Sequence, residues 1–338
     1  MRMILIGFGT VGQGLVEILE KKQHLYQNQF QFEPEIVGVS TWSRGSLYHP
    51  EGLNRQALLE AIQAGSLDHY PESEGLIRGM DSLSMIETGQ ADTVIEMSHS
   101  NFKDAQPALD YCVKALESGK HLILANKGPV ALAYTQLVNL ARSKGVQLRF
   151  EATVMAGTPS LALALESLAG CEIQAIKGIL NGTCNFIISR MEAGMDFEGA
   201  LAEAQALGYA EAEPSADVDG WDAAGKSLIL AQAVMGLEMK LEDMTVSGIR
   251  QLSLEAIESA RKEGKHWRLI ASIDAKGARV QSECLAMGHP LATVSGANNA
   301  ITFSTDLMGD ITLIGAGAGR LETGYAIIAD LLAIHRQL

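Results

Sequence analysis

Between Arg2 and Lys21 the chain reads as strand, glycine turn and helix, and this opening constrains the fold more than any other stretch. Arg2–Ile6 is a short apolar strand, Gly7-Phe-Gly-Thr-Val-Gly12 a turn, and Val11–Lys21 has helical periodicity. The spacing is Gly-x-Gly-x-x-Gly. Gly7 permits the tight turn, Gly9 lets a pyrophosphate approach the backbone, and Gly12 allows close helix–strand packing. The helix N-terminus then offers free N–H groups and a favourable dipole to phosphates. The pattern alone is common; between a strand and a helix it predicts dinucleotide binding.

The alternation continues. Strands are expected at Glu35–Thr41, Asp92–Met97, His121–Ala125 and Val146–Glu151, and helices at Lys103–Ser118 and Val130–Lys144. Trp42–Gln90 reads as irregular apart from a helix at Arg55–Ala64. Such alternation predicts an α/β, Rossmann-type doubly wound parallel sheet. Beyond Glu151 the pattern changes. A loop of small residues leads to a helix at Ser160–Leu168 and a strand at Ile173–Leu180. Helices follow at Cys184–Ala193, Phe197–Leu207 and Ala223–Met235, then strands at Trp267–Ala275, Arg279–Leu285 and Ala300–Thr305. This predicts an α+β second domain with a mostly separate sheet. An amphipathic helix at Thr323–Arg336 is expected to return to the first domain. The expected division is therefore 1–151 with about 316–338 for the dinucleotide and 152–315 for substrate and dimer contacts.

With 40 acidic and 26 basic side chains the net charge is −14, which argues against nucleic-acid or anionic-membrane partners. Cys112, Cys171, Cys184 and Cys284 are scattered without a Cys-x-x-Cys pair, so free thiols in a reducing cytoplasm are expected. No signal peptide and no transmembrane helix are expected.

Other motifs carry the chemistry. The second strand lacks the terminal acid that holds an adenine-ribose 2′-hydroxyl. Ser40–Ser43 can donate to a 2′-phosphate and Arg44 can pair with its charge, which tilts the choice toward NADP, with NAD as the alternative. Lys127 follows a strand end in Ala125-Asn-Lys-Gly-Pro129, where parallel sheets place ligands. The run Glu211–Lys226 places five carboxylates around a turn leading into a helix. It matches no calcium loop, and a cluster able to hold a substrate ammonium fits it better than a metal site or a solvated loop. Asp222 and Lys226 share a helix face at i,i+4, as a proton-transfer group with its carboxylate or as a plain salt bridge. Ile179-Leu-Asn-Gly-Thr-Cys-Asn-Phe186 is either a carboxylate-binding helix start or an ordinary capped one. Gly315-Ala-Gly-Ala-Gly319 is a second glycine loop, approached by a nicotinamide or by a neighbouring strand.

Taken together these stretches resemble homoserine dehydrogenases over nearly the whole chain. Further matches are Glu151-Ala-Thr-Val-Met-Ala-Gly-Thr-Pro159 and His289-Pro-Leu-Ala-Thr-Val-Ser-Gly-Ala-Asn-Asn299. The resemblance implies reversible NAD(P)H-dependent reduction of L-aspartate 4-semialdehyde to L-homoserine, in threonine, methionine and isoleucine biosynthesis. It implies Lys226 as proton donor, assisted by Lys127 between substrate and cofactor. Glu211 and Asp222 would hold the substrate, with Asp217 shaping the site. Backbone at Phe8, Thr10, Val11, Ser98 and Gly315 would line the cofactor. Carbonyls of Glu151, Val154, Ala156 and Thr158 would hold a monovalent cation, usually sodium. A homodimer through the second domain's sheet is expected.

Two departures stand out. Ser98-His-Ser-Asn101 replaces the Thr-Pro-Thr-Asn that members often carry, and Arg320-Leu-Glu-Thr-Gly324 follows the second glycine loop where a further Gly is common. No regulatory ACT domain fits, so threonine inhibition through one is not expected. The alternatives are another semialdehyde or amino-acid dehydrogenase on this scaffold, or a non-catalytic NAD(P)-binding sensor.

Overall fold

Strand β1 (Arg2–Ile6) lies between β2 (Glu35–Ser40) and β5 (Thr93–Glu96) and is parallel to both. Its Met3, Ile4 and Leu5 are wholly buried, as a strand covered on both faces requires. The computed structural model describes residues 1–337 and has two units, Met1–Gly157 with Gly319–Leu338, and Thr158–Ala318.

In the first unit, β3 (Ser46–Tyr48), β4 (Ile77–Arg78), β6 (His121–Leu124) and β7 (Leu148–Arg149) complete a sheet of order β4-β3-β2-β1-β5-β6-β7. The stretch expected to be irregular supplies two antiparallel strands, β3 and the edge strand β4. They are too short to show a period of two, and they form because β2 offers β3 a partner and β3 in turn offers one to β4. Helices α1 (Thr10–Lys21), α2 (Gln23–Phe30), α3 (Arg55–Gln63), α4 (Ser82–Thr88), α5 (Ala108–Glu117) and α6 (Lys127–Lys144) flank the strands. The sequence missed α2 and α4. Two boundaries differ for local reasons. Before α5, the Asn101 side chain accepts the Lys103 N–H at 2.8 Å and Asp104 accepts that of Gln106 at 3.0 Å. These side-chain turns, with Pro107 behind them, displace the helix start from Lys103 to Ala108. Conversely α6 begins at Lys127, capped by Asn126, whose Oδ1 accepts the Gly128 N–H at 2.9 Å. Pro129 sits in its first turn. After β7 the expected strand gives way to a 3₁₀ turn at Glu151–Thr153.

The second unit holds β8 (Ile173–Ile179), β9 (Thr245–Val246), β10 (Lys265–Asp274), β11 (Gly277–Ala286), β12 (Asn298–Thr305) and β13 (Gly309–Ala316), ordered β13-β12-β8-β10-β11-β9. All pairings are antiparallel except β9 with β11. Its helices are α7 (Ser160–Ala162), continued as a π turn at Leu163–Ser167, then α8 (Gly182–Glu192), α9 (Phe197–Ala206), α10 (Ser215–Val218), α11 (Trp221–Ala233) and α12 (Leu254–Lys262). One sheet face buries Ile176, Ile273, Val280, Ile301 and Phe303, and α8, α11 and α12 pack on the sheet. The register places Thr312, Thr302, Lys177, Ser272 and Arg279 side by side on the other face. Strand β13 was not expected, and it takes in the first residues of the second glycine loop.

The chain then re-enters the first unit as α13 (Arg320–His335), which packs along α1. It is buried more evenly than the amphipathic helix expected. Ala326, Ile327, Ile328, Leu331, Leu332 and Ile334 are all buried in the core beneath the sheet. Asp330 is buried with them and accepts the Glu151 N–H at 2.9 Å. Two glycines allow the close approach. A Cβ on Gly14 would fall 2.0 Å from the Arg320 carbonyl oxygen, and one on Gly324 2.6 Å from the Leu15 nitrogen.

Candidate active site

At the end of β1, Gly7 has φ +90°, and a Cβ there would lie 2.7–2.8 Å from the backbone of Met97 and Ser98. Gly9, by contrast, has no atom within 4 Å of its missing Cβ, and no side chain caps α1. The helix therefore presents bare N–H groups over an open cradle, which is what a pyrophosphate requires. A Cβ on Gly12 would press on the Phe8 ring at 3.0 Å. The Phe8 side chain is in the core, and its carbonyl accepts from Arg44 at 3.2 Å and Gln13 at 3.3 Å. Thr10 is exposed and Val11 half-buried.

Arg44 is thus held against the glycine turn. The serines near it are not equally available. Ser40 is buried and shares a 2.8 Å hydrogen bond with Ser82, and Thr41 donates to the Gly45 carbonyl at 2.8 Å. Only Ser43 and Arg44 of that set reach solvent with polar groups to offer. Trp42, just before them, is 90 % exposed, an aromatic face that went unremarked in the sequence.

Strand β5 ends on Glu96, which is fully buried. One of its oxygens accepts the Ser98 N–H at 2.9 Å, so that N–H points inward and not toward a ligand. The Asn126 side chain donates to Ser98 Oγ at 3.3 Å and to the His99 carbonyl at 3.2 Å. Ser100 Oγ accepts the Lys127 N–H at 3.1 Å. Lys127 therefore projects from the first turn of α6, at the carboxyl end of the parallel sheet.

In the second unit Asp217, Asp222 and Lys226 come together. Lys226 is 7 % exposed, and its Nζ donates to Asp222 Oδ2 and to the Leu180 carbonyl, each at 2.7 Å. An ammonium has three donors, so one remains for a substrate oxygen. Asn181 organises the carboxylates. Its Nδ2 donates to Asp217 Oδ1 at 2.7 Å and to Asp222 Oδ2 at 3.0 Å, while its Oδ1 caps α8 through the Cys184 N–H at 2.8 Å. Burial pushes the Asp217 carboxyl up from its ordinary pKa, and the charge of Asp222 adds to this against the Asn181 hydrogen bond. The sequence pointed to this stretch for its helix N–H groups and missed the Asn181 side chain. Glu211 stands apart on the exposed loop ahead of α10, and its backbone carbonyl accepts from Gln205. Asp219 pairs with Arg250 at 2.5 Å and leaves the cluster.

Glu151, Val154 and Ala156 lie on a buried turn in which Met155 and Ala156 both have positive φ, +59° and +48°. Two consecutive non-glycine residues in that region are uncommon and mark an over-determined turn. The Glu151 carbonyl in this turn accepts the Val154 N–H at 3.3 Å. Thr158 begins the second unit, and its hydroxyl donates to the Ala316 carbonyl at 3.1 Å. A Cβ on Gly315 would fall 2.2 Å from that hydroxyl oxygen, so within this unit the glycine is required by Thr158. Among the described residues no cluster of His, Cys, Asp and Glu forms a metal site.

The same pattern recurs in known proteins. A family model described as homoserine dehydrogenase, NAD binding domain, matches residues 7–151, and one described as homoserine dehydrogenase matches residues 159–332. The chain is 39 % identical to an NAD(+)-dependent homoserine dehydrogenase of Pseudomonas canavaninivorans, covering 99 % of this chain and 96 % of the relative. It is also 39 % identical to a homoserine dehydrogenase of Methanocaldococcus jannaschii, covering 99 % and 98 %. A crystal structure of a putative homoserine dehydrogenase from Archaeoglobus fulgidus superposes with a TM-score of 0.89 at 36 % identity, over 99 % of both chains. A hyperthermophilic archaeal homoserine dehydrogenase in complex with NADPH superposes at 0.86 and 27 % identity, over 100 % of this chain and 98 % of that one.

Proposed function

Because the chain belongs to the homoserine dehydrogenase family of NAD(P)-dependent oxidoreductases, we propose that Lys226 handles the proton in its reaction, the reversible reduction of L-aspartate 4-semialdehyde to L-homoserine. The observation that carries this is a buried ammonium tied to Asp222 and the Leu180 carbonyl with one donor to spare. When bound, the nicotinamide supplies or accepts the hydride. As negative charge develops on the aldehyde oxygen, the Lys226 ammonium stabilises it and then delivers a proton. Asp222 holds the ammonium in place and draws the proton back in the reverse direction. Asp217, Asp222 and Glu211 are assigned to the substrate's amino group, a role that the Asn181 bridge between two of them supports. Lys127, fixed in the first turn of α6, is assigned to orient substrate against cofactor.

The open cradle at Gly9 supports placing the pyrophosphate over Gly7–Gly12, with Phe8, Thr10, Val11, Ser98, Lys127 and Gly315 lining the remainder of the cofactor site. Arg44 supports NADP as the preferred dinucleotide, since its guanidinium is held at the glycine turn and can pair with a 2′-phosphate. The double left-handed turn supports a monovalent cation, sodium, on the carbonyls of Glu151, Val154, Ala156 and Thr158. The unit Met1–Gly157 with α13 is assigned to the cofactor and Thr158–Ala318 to substrate and dimerisation. The outward row Thr312–Thr302–Lys177–Ser272–Arg279 supports a homodimer through the second sheet, and Ser272 Oγ there is buried with no partner among the described residues. Four free cysteines support a cytoplasmic location, and no described helix is long and apolar enough to cross a membrane.

Oxidation of L-homoserine, followed by absorbance with NADP⁺ and NAD⁺ in parallel, tests this. Turnover with a higher kcat/KM for NADP⁺ is expected. Turnover that favours NAD⁺ overturns the role given to Arg44, and no turnover despite cofactor binding overturns that given to Lys226.

A further inference from the structure

We infer that Glu96 is a positioning residue: its carboxyl, sealed behind the glycine turn, sets the loop Ser98–Asn101 and through it the first turn of α6 that carries Lys127. The inference rests on the cofactor reading given above, which places Ser98 and Lys127 at the ligand. An acid has no business at this depth unless something needs it, because burying an unpaired carboxylate is costly. Glu96 ends the strand beside β1, and its neighbours across the ladder, Ile6 and Leu124, are apolar. One oxygen accepts the Ser98 N–H, while Oε2 has no hydrogen-bond partner among the described residues. From there the bonds run outward without a gap. Ser98 and His99 accept from Asn126, Asn126 caps α6 at Gly128, and Ser100 accepts from Lys127. The room is tight, since a Cβ on Gly128 would fall 2.6 Å from the Asn101 carbonyl oxygen. A small shift at Ser98 therefore reaches Lys127.

Burial pushes the Glu96 carboxyl up to about 7, against the hydrogen bond from Ser98. On α5 the titratable group coupled to it is Cys112, whose thiol burial and the Glu96 charge keep protonated. Its neighbours from the loop and from the turn before α6, Ser98 and Asn126, are neutral. Below neutrality Glu96 is the neutral acid, accepting from Ser98 through one oxygen and keeping the other protonated. Ionisation above neutrality puts an unsatisfied charge beneath the loop and loosens it.

The test uses the full chain and NADPH as probe, with its dissociation constant measured by fluorescence titration across about two pH units either side of the carboxyl's pKa. The wild type is expected to bind about fivefold or more weakly at the alkaline end. Glu96→Gln, an uncharged stand-in for the protonated acid, is expected to hold the acid-side affinity throughout. The 2′-phosphate's own titration is common to both proteins and cancels. Glu96→Ala, which strands the Ser98 N–H, is expected to bind weakly at every pH, and should it fail to fold the Gln comparison decides alone. Identical pH profiles for wild type and Glu96→Gln, or a flat wild-type profile, overturn the proposal. Absence of NADPH and NADH binding by the wild type overturns the cofactor reading beneath it, and this proposal with it.

Discussion

The two units prepare for ligands in opposite ways. The first offers backbone: an uncapped helix, a glycine with nothing near its missing Cβ, and carbonyls on a strained turn. The second offers side chains, with Asn181, Asp217, Asp222 and Lys226 drawn from three elements and already bonded to one another. A backbone cradle is inert toward its own protein, and adding one methyl group can ruin it without touching the fold. A side-chain cluster is an electrostatic balance, and removing one member unsettles the others.

Substitutions can break this contrast. The largest effect is expected from Lys226→Ala, with kcat for homoserine oxidation falling by about 10³ or more while NADPH affinity stays near that of the wild type. Equal loss of both, measured by steady-state kinetics and fluorescence titration, would mean that the cluster holds up the fold instead. Next comes Gly9→Ala. Its φ of −83° suits any residue and nothing crowds the new methyl, so the melting temperature is expected to hold. NADPH binding should weaken by about 10²-fold, or roughly 2.7 kcal/mol; unchanged affinity would move the pyrophosphate elsewhere.

Two smaller tests sharpen the comparison. Glu96 carries a pH signature in stability. Its folded pKa of about 7 lies above the 4.5 of a free carboxyl, so its contribution is intact below that lower value and is lost as pH rises through 7. Above that the charge costs about 3 kcal/mol, and Glu96→Gln should be more stable than wild type at alkaline pH but not at acid pH in thermal melts. Asn181→Ala leaves Asp217 and Asp222 repelling without their shared donor, and should raise KM for homoserine by about tenfold at a cost of about 1–3 kcal/mol in stability. A stability loss with an unchanged KM would make Asn181 a helix cap and nothing more.

The backbone site was legible because its requirements are local: Gly7, Gly9 and Gly12 lie within one turn, and their spacing states the geometry. Lys226 and Asp222 were legible for the same reason, being one helical turn apart. Asn181 was not, because its role appears only when Asp217, 36 residues on, folds against it. Glu96 reads as an ordinary polar strand end until β6 and α5 enclose it. Strand β13 was missed because Gly309 and Gly315 mimic loop chemistry, although β12 pairs with the segment along its length. Conversely, Ser40 was given a ligand-facing role that Ser82 takes from it.

Helix α13 has a consequence for how the chain matures on the ribosome. The cofactor unit is interrupted in sequence, and the helix that fills its core against α1 emerges last. Until then Leu15, Leu19 and their neighbours lack part of their cover, and Glu151 lacks the buried carboxylate to which its N–H donates. The inserted unit, contiguous from Thr158 to Ala318, can complete its sheet while the first unit waits. Closure can therefore run against the order of synthesis: the unit made second is complete in sequence at Ala318, while the unit begun first still lacks its last helix.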